Sequence, residues 1–137
     1  MRILGIDYGD ARIGIAVSDP LGLTAQSIET ISWKNDINRP INRIKEIVES
    51  YDCEAVVVGL PRNMNGTVGP RELKTREFMQ LLESALPRTR IIPWDERLTT
   101  VMAQRAMHNM GIEAKKQKGK LDQIAASFIL QGYLDSL

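Results

Sequence analysis

The run Ala55-Val56-Val57-Val58-Gly59 limits the fold of this chain more than any other segment. It is apolar at every position, so it has no face that water can solvate. Such a run is a strand covered on both sides, as in parallel sheets flanked by helices. Its neighbours supply the cover. Ile37, Ile41, Ile44, Ile47, Val48 and Tyr51 recur at helical spacing, with Asn35 or Asp36 able to cap the start. A second amphipathic helix is predicted over residues 71–86, with Phe78, Leu81, Leu82, Ala85 and Leu86 inward.

The opening of the chain has a different rhythm. Residues 2–7 and 12–19 are apolar and β-branched, joined by Tyr8-Gly9-Asp10-Ala11, and Gly9 permits a tight reversal. A third strand is predicted near residues 25–32, after the turn Asp19-Pro20-Leu21-Gly22. Arg90-Ile91-Ile92-Pro93-Trp94 reads as a further strand, and Pro93 puts it at a sheet edge or strand end. Two helices follow, near 99–110 and 120–136, the last burying Leu121, Ile124, Ala125, Phe128 and Gly132. The order is βββαβαβαα, a mixed five-stranded α/β sheet flanked by helices, with an antiparallel meander and parallel crossovers. Its 137 residues are one domain's worth, spanning 1–137.

Composition narrows the class. With 43% apolar and 26% charged residues the chain is ordinary for a globular protein. No apolar stretch is long enough for a signal peptide or membrane span, so a cytoplasmic protein without membrane contact is expected. Cys53 is the one cysteine and cannot form an internal disulfide; beside an apolar strand it reads as a small hydrophobe. One cysteine and one histidine exclude a Cys/His zinc site, and His108 reads as a surface or boundary residue.

Functional groups in such sheets gather at the carboxyl ends of the parallel strands. Asp7 ends the first strand, and Asp95-Glu96-Arg97 follows the last. Asp122 lies near the start of the final helix, directly after Gly119-Lys120-Leu121. Each acid alone has a local explanation: Asp7 bonding its own turn, the Asp95-Glu96 pair preceding a helix capped by Thr99 or Thr100, and Asp122 favoured by a helix dipole. Of Asp95 and Glu96 only one can face Asp7, because successive strand residues point to opposite sides. Together the three acids suit a hard cation, since clustered carboxylates repel unless one lies between them. Mg²⁺ or Mn²⁺ is the expected cofactor; two ions roughly 4 Å apart serve phosphodiester hydrolysis.

The net charge of +1 does not itself signal nucleic acid, but local basic clusters do. Lys115, Lys116, Lys118 and Lys120 crowd one predicted loop, and Arg71, Lys74 and Arg76 cluster at a helix start. The long glycine-rich stretch from Gly59 to Pro70 leaves the central strand at the same sheet end. Its Arg62, Asn63 and Asn65, with Lys118 and Lys120, are the candidate nucleic-acid contacts.

Five motifs then stand in order. They are Gly5-Ile6-Asp7-Tyr8-Gly9; Arg12-Ile13-Gly14-Ile15-Ala16-Val17-Ser18-Asp19; Gly59-Leu60-Pro61 with Asn65-Gly66-Thr67; Asp95-Glu96-Arg97-Leu98-Thr99-Thr100; and Lys118-Gly119-Lys120 with Asp122 and Ala125-Ala126. Across the whole chain they resemble the YqgF family, also called RuvX, of pre-ribosomal-RNA nucleases and Holliday-junction resolvases. Arg62 stands where a more variable or apolar residue is expected. The resemblance implies a ribonuclease H-like fold and a divalent-metal nuclease acting in 5′-end maturation of small-subunit (16S) ribosomal RNA. It makes Asp7, Asp122 and an acid of the Asp95-Glu96 pair the catalytic acids and metal ligands, with Glu96 preferred. Branched DNA is the alternative substrate, and a junction resolvase would act as a homodimer. Two rivals belong to other classes: a non-catalytic nucleic-acid-binding scaffold, and an actin-like ATPase or sugar kinase half, for which the chain is too short.

Overall fold

A computed structural model describes residues 2–96 and 114–137, with the side chains of the final helix described from residue 124 onward. Five strands form one sheet: β1 (Arg2–Tyr8), β2 (Arg12–Ser18), β3 (Ala25–Ser32), β4 (Cys53–Leu60) and β5 (Arg90–Asp95). Three helices join them among the described residues: α1 (Asn38–Tyr51), α2 (Pro70–Ala85) and α3 (Ala114–Asp135). The helix expected near 99–110, its capping threonines and His108 lie outside the described residues. No described helix is long and apolar enough to cross a membrane.

The strands lie in the order β3-β2-β1-β4-β5. The β1–β2 and β2–β3 pairs are antiparallel, while β4 runs parallel to both β1 and β5. The apolar run therefore occupies an interior strand, and Pro93 lies in the edge strand, where its missing N–H costs least.

The two faces bury different residues. Leu4, Ile6, Ile13, Ile15, Val56, Val58 and Leu60 meet α1 and α2 through Ile41, Ile44, Phe78, Met79 and Leu82. On the opposite face Ile3, Ala16, Ala55 and Val57 meet Ala126, Ile129, Leu130 and Leu134 of α3. Cys53 is buried in the first cluster, and burial pushes its thiol up to about 11. Asp36 accepts the Asn38 N–H at 3.1 Å and so serves the start of α1, although the helix's geometric cap is Ile37.

Three details differ from the sequence expectations. Leu81 is exposed, because α2 turns the row Phe78, Met79 and Leu82 toward the sheet. The buried stripe of α3 runs through Ala125, Ala126, Ile129, Leu130 and Leu134, leaving Ile124, Phe128 and Gly132 half-buried. Finally, α3 begins at Ala114, so Lys115, Lys116, Lys118 and Lys120 stand on helix instead of loop. Asp122 accordingly lies well past the first turn, which removes the helix dipole as its local explanation.

α3 comes close to the sheet because small residues lie beneath it. A Cβ on Gly5 would meet Leu130 Cβ at 2.6 Å and the Ala126 carbonyl at 3.0 Å. We expect Gly5→Val to push α3 off β1 and cost about 1–3 kcal/mol, the usual range for overpacking. Urea denaturation monitored by circular dichroism checks this as a lowered midpoint.

Candidate active site at the carboxyl ends of the parallel strands

Strand alternation decides which acids meet. On β1, Leu4 and Ile6 face α1 and α2, whereas Ile3 packs toward α3. Asp7 shares the parity of Ile3 and Gly5, so it projects on the α3 side. On β5, Ile91 packs with the first cluster and Ile92 and Trp94 with the second. Glu96, one step past the strand, continues the Ile92–Trp94 row. Its N–H donates to the Leu60 carbonyl at 3.3 Å, which extends the β4–β5 ladder by one bond.

The Glu96 carboxylate lies over Gly59, where a Cβ would collide with Glu96 Oε2 and with Ile129 Cδ1. Glycine is thus required at this position for space; its backbone conformation is ordinary. Asp7 and Glu96 share a side-chain hydrogen bond. Burial, then the neighbouring Asp7 charge, pushes the Glu96 carboxyl up to about 8. Arg71 in the first turn of α2 pulls in the opposite direction, and Asp95 adds a weaker upward push. The upward shift favours one proton held between the two carboxyls. Asp95 is exposed and stands on the other side of the strand end.

The third acid is placed only by its backbone. Leu134 packs in the same cluster as Ile3, whereas Leu130 and Ala126 lie over Gly5. α3 therefore runs against β1, and its earlier turns advance toward the end that carries Asp7. Asp122 is one turn before Ala126 on that path. Its side chain, like those of Lys118 and Lys120, lies outside the described residues. Among the described residues no group of three or more His, Cys, Asp or Glu could hold a metal ion.

The loop after β4 opens beside Glu96, but its amides are turned inward on itself. Asn63 Nδ2 donates to Thr67 Oγ1 at 3.0 Å, and Asn65 Oδ1 accepts from the Thr67 N–H and hydroxyl at 3.1 and 2.6 Å. Gly66, at φ 82°, makes the reversal that this network needs. Asn63 and Asn65 thus shape the loop, while Arg62 stands exposed on it.

The basic cluster at the start of α2 separates into three roles. Arg76 Nε bonds the buried Glu72 at 3.0 Å, and Lys74 lies 3.7 Å from Asp10. Arg71 is the cation that acts on Glu96. Proximity in sequence groups the three and does not single out Arg71 as a site residue. The available signal was its position in the first turn of a helix that starts at the carboxyl end of β4.

The chain is similar to known proteins over nearly its whole length. The family model described as "RuvX: Holliday junction resolvase" matches residues 1–136. A protein of Acetivibrio thermocellus named "Putative pre-16S rRNA nuclease" is 60% identical over 136 residues, covering 99% of this chain and 96% of its own length. One of the same name from Ruminiclostridium cellulolyticum is 53% identical over 137 residues, covering 100% and 96%. Thermus thermophilus RuvC, solved in complex with a Holliday junction substrate, superposes with a TM-score of 0.66 at 17% identity, covering 99% of this chain and 94% of that one. The fold is thus that of the RuvC-like, ribonuclease H-fold nucleases.

The acid pair makes the stability of the metal-free protein depend on pH. Unfolded, Glu96 loses its proton near the ordinary 4.5; folded, it keeps it up to about 8. In that window the folded state binds more protons, so stability falls as pH rises from about 5 to 8. We expect Glu96→Gln to remove this part of the slope, as measured by urea midpoints across that range in the presence of a chelator.

Proposed function

The chain belongs to the RuvX family, and we propose that it hydrolyses nucleic-acid phosphodiester bonds at the Asp7–Glu96 pair with a divalent cation as cofactor. The observation that carries this reading is the pair itself. Two half-buried carboxyls are forced together at the carboxyl ends of parallel strands, where a shared hydrogen bond and the Arg71 charge ease their repulsion. A divalent cation relieves the same repulsion, and hard oxygen donors of this kind suit Mg²⁺ or Mn²⁺. The donor set therefore fits the cofactor that the chemistry needs. Asp7 and Glu96 would hold it, with Asp122 as the third ligand on α3. When bound, such ions activate water and stabilise the leaving oxygen, and two ions do both.

The chain's own groups have separable tasks. Gly59 leaves the volume into which the Glu96 carboxylate fits, and Ile129 walls that volume from the helix side. Arg71 offers positive charge to the pair from the first turn of α2, where a substrate phosphate also gains from the helix N-terminus. Arg62, Lys118 and Lys120 are the candidates for contacts to the nucleic-acid backbone. Asn63 and Asn65 hold the loop that presents Arg62.

The substrate we favour is precursor 16S ribosomal RNA, trimmed toward its mature 5′ end in the cytoplasm. The names of the relatives, at 60% and 53% identity, support it. The family description supports a second reading, resolution of four-way DNA junctions, which would require a homodimer to cut two strands. A non-catalytic scaffold would have no use for the costly proximity of Asp7 and Glu96.

We expect purified protein with Mg²⁺ or Mn²⁺ to cleave precursor 16S ribosomal RNA in preference to a four-way junction. Asp7→Asn should lower the rate by about a thousandfold, equivalent to roughly 4 kcal/mol of barrier. It should keep the wild-type circular dichroism spectrum. Cleavage by Asp7→Asn at the wild-type rate would refute the assignment of the site, and preference for the junction would select the second substrate.

A further inference from the structure

We propose that a groove around Trp33, on the far side of the β1–β2 turn from the acid pair, holds a single-stranded stretch of the nucleic-acid substrate. The proposal deepens the nuclease reading above and rests on it.

The groove encloses about 490 Å³ and is lined by Ala11, Arg12, Ser32, Trp33, Lys34, Asp36 and Arg39. Three cations thus face one acid. That acid, Asp36, is engaged with the N–H of Asn38 at the start of α1. Lys34 and Arg39 are exposed, and Arg12 is half-buried. The charge suits an anionic strand, and its location suits this substrate. Arg12 pairs with Ser32 across β2 and β3 at the same sheet end that carries Asp7.

Trp33 gives the groove its second property. Its indole Nε1 donates to the Gly9 carbonyl at 3.1 Å, and its backbone N–H donates to Ala11 at 3.1 Å. The ring is therefore fixed to the β1–β2 turn before any ligand arrives. Tyr8 lies beyond it, with ring centroids 5.9 Å apart, and Tyr8 itself stacks on Phe78 at 4.4 Å. Tyr8 and Trp33 both line a neighbouring cavity of about 560 Å³ with Asp10, Lys74 and Glu77. Tyr8 is also the chain neighbour of Asp7, with its side chain on the opposite face of the sheet.

Fixed aromatic plates beside a basic track are the features that bind single strands without regard to sequence. Lys34 and Arg39 neutralise phosphates, while unstacked bases lie against Trp33 and reach the aromatic cavity. There the carboxylates of Asp10 and Glu77 can accept from base amino groups. A continuous duplex keeps its bases stacked and cannot present them to these rings. A strand crossing the turn at Gly9 would run from the groove to the acid pair.

The test uses the full-length protein with a chelator present, so that binding is read without cleavage. Fluorescent 12-residue oligouridylate, oligothymidylate and a duplex of equal length are titrated over a range of salt. Trp94→Phe leaves Trp33 as the one remaining tryptophan, so emission quenching reports directly on the groove. We expect single strands to quench Trp33 and bind at least tenfold more tightly than duplex. The ribose and deoxyribose arms show whether the 2′-hydroxyl contributes. Lys34→Glu with Arg39→Glu should weaken binding at least tenfold and reduce the single-strand salt slope by roughly 1.4. Lys45→Glu with Arg88→Glu changes net charge equally on other exposed surface and should leave both values near wild type. If wild type binds single strands but the Lys34/Arg39 variant matches it, or Trp33 is not quenched, the groove is overturned and the nuclease reading stands. Preference for duplex also overturns the groove. If wild type binds none of the three, the groove is overturned, and cleavage of precursor 16S ribosomal RNA with Mg²⁺ or Mn²⁺ decides the nuclease reading separately.

Discussion

The closeness of α3 to the sheet is the constraint on which the rest of this protein depends. Gly5 and Ala16 offer almost no side chain to the helix, so Ala126 and Leu130 reach the strand backbone nearly directly. The opposite face is built on another principle, with large residues such as Leu4, Ile6, Phe78 and Leu82 filling a thicker layer. Among the described residues the sheet thus carries a side with the larger apolar cluster and a side where small residues set the helix position. The acids lie on the latter side, where a small displacement of the helix would be felt directly.

Most of the architecture could be read from local pattern because strands and helices with buried faces must repeat at their own period. The uninterrupted run at residues 55–59 required cover on both sides, and β4 has it. Pro93 pointed to an edge, and β5 is one. What escaped was finer than periodicity. The inward row of α2 bypasses Leu81 because several apolar rows were available and tertiary packing selected among them. Residues 114–120 are polar enough to resemble a loop, yet lysine and alanine are good helix formers, and the helix extends through them.

The site shows the same division. Alternation implied that only one of Asp95 and Glu96 could stand beside Asp7, but choosing between them needs the register of β5 against β4. That register depends on long-range pairing, which a single sequence does not display. Arg71 was legible as a charge but not as a neighbour of Glu96, since the relation spans the loop after β4. Asn63 and Asn65 stay exposed, and their hydrogen bonds with Thr67 also hold the loop, a second use that residue type alone does not reveal. Polar side chains in a long loop must first satisfy the loop's backbone, and only the remainder can face a partner.

Gly59 carries a consequence for how this protein can change over time. The same small volume is bounded by Glu96 on one side and Ile129 on the other. Any side chain acquired at position 59 would disturb the acid pair and the helix contact together, so neither defect could be repaired alone. A second-site revertant would have to shorten Ile129 and find a new position for the Glu96 carboxylate at once. The acid pair and the helix packing share one missing methyl group here, and drift at this residue touches both at once.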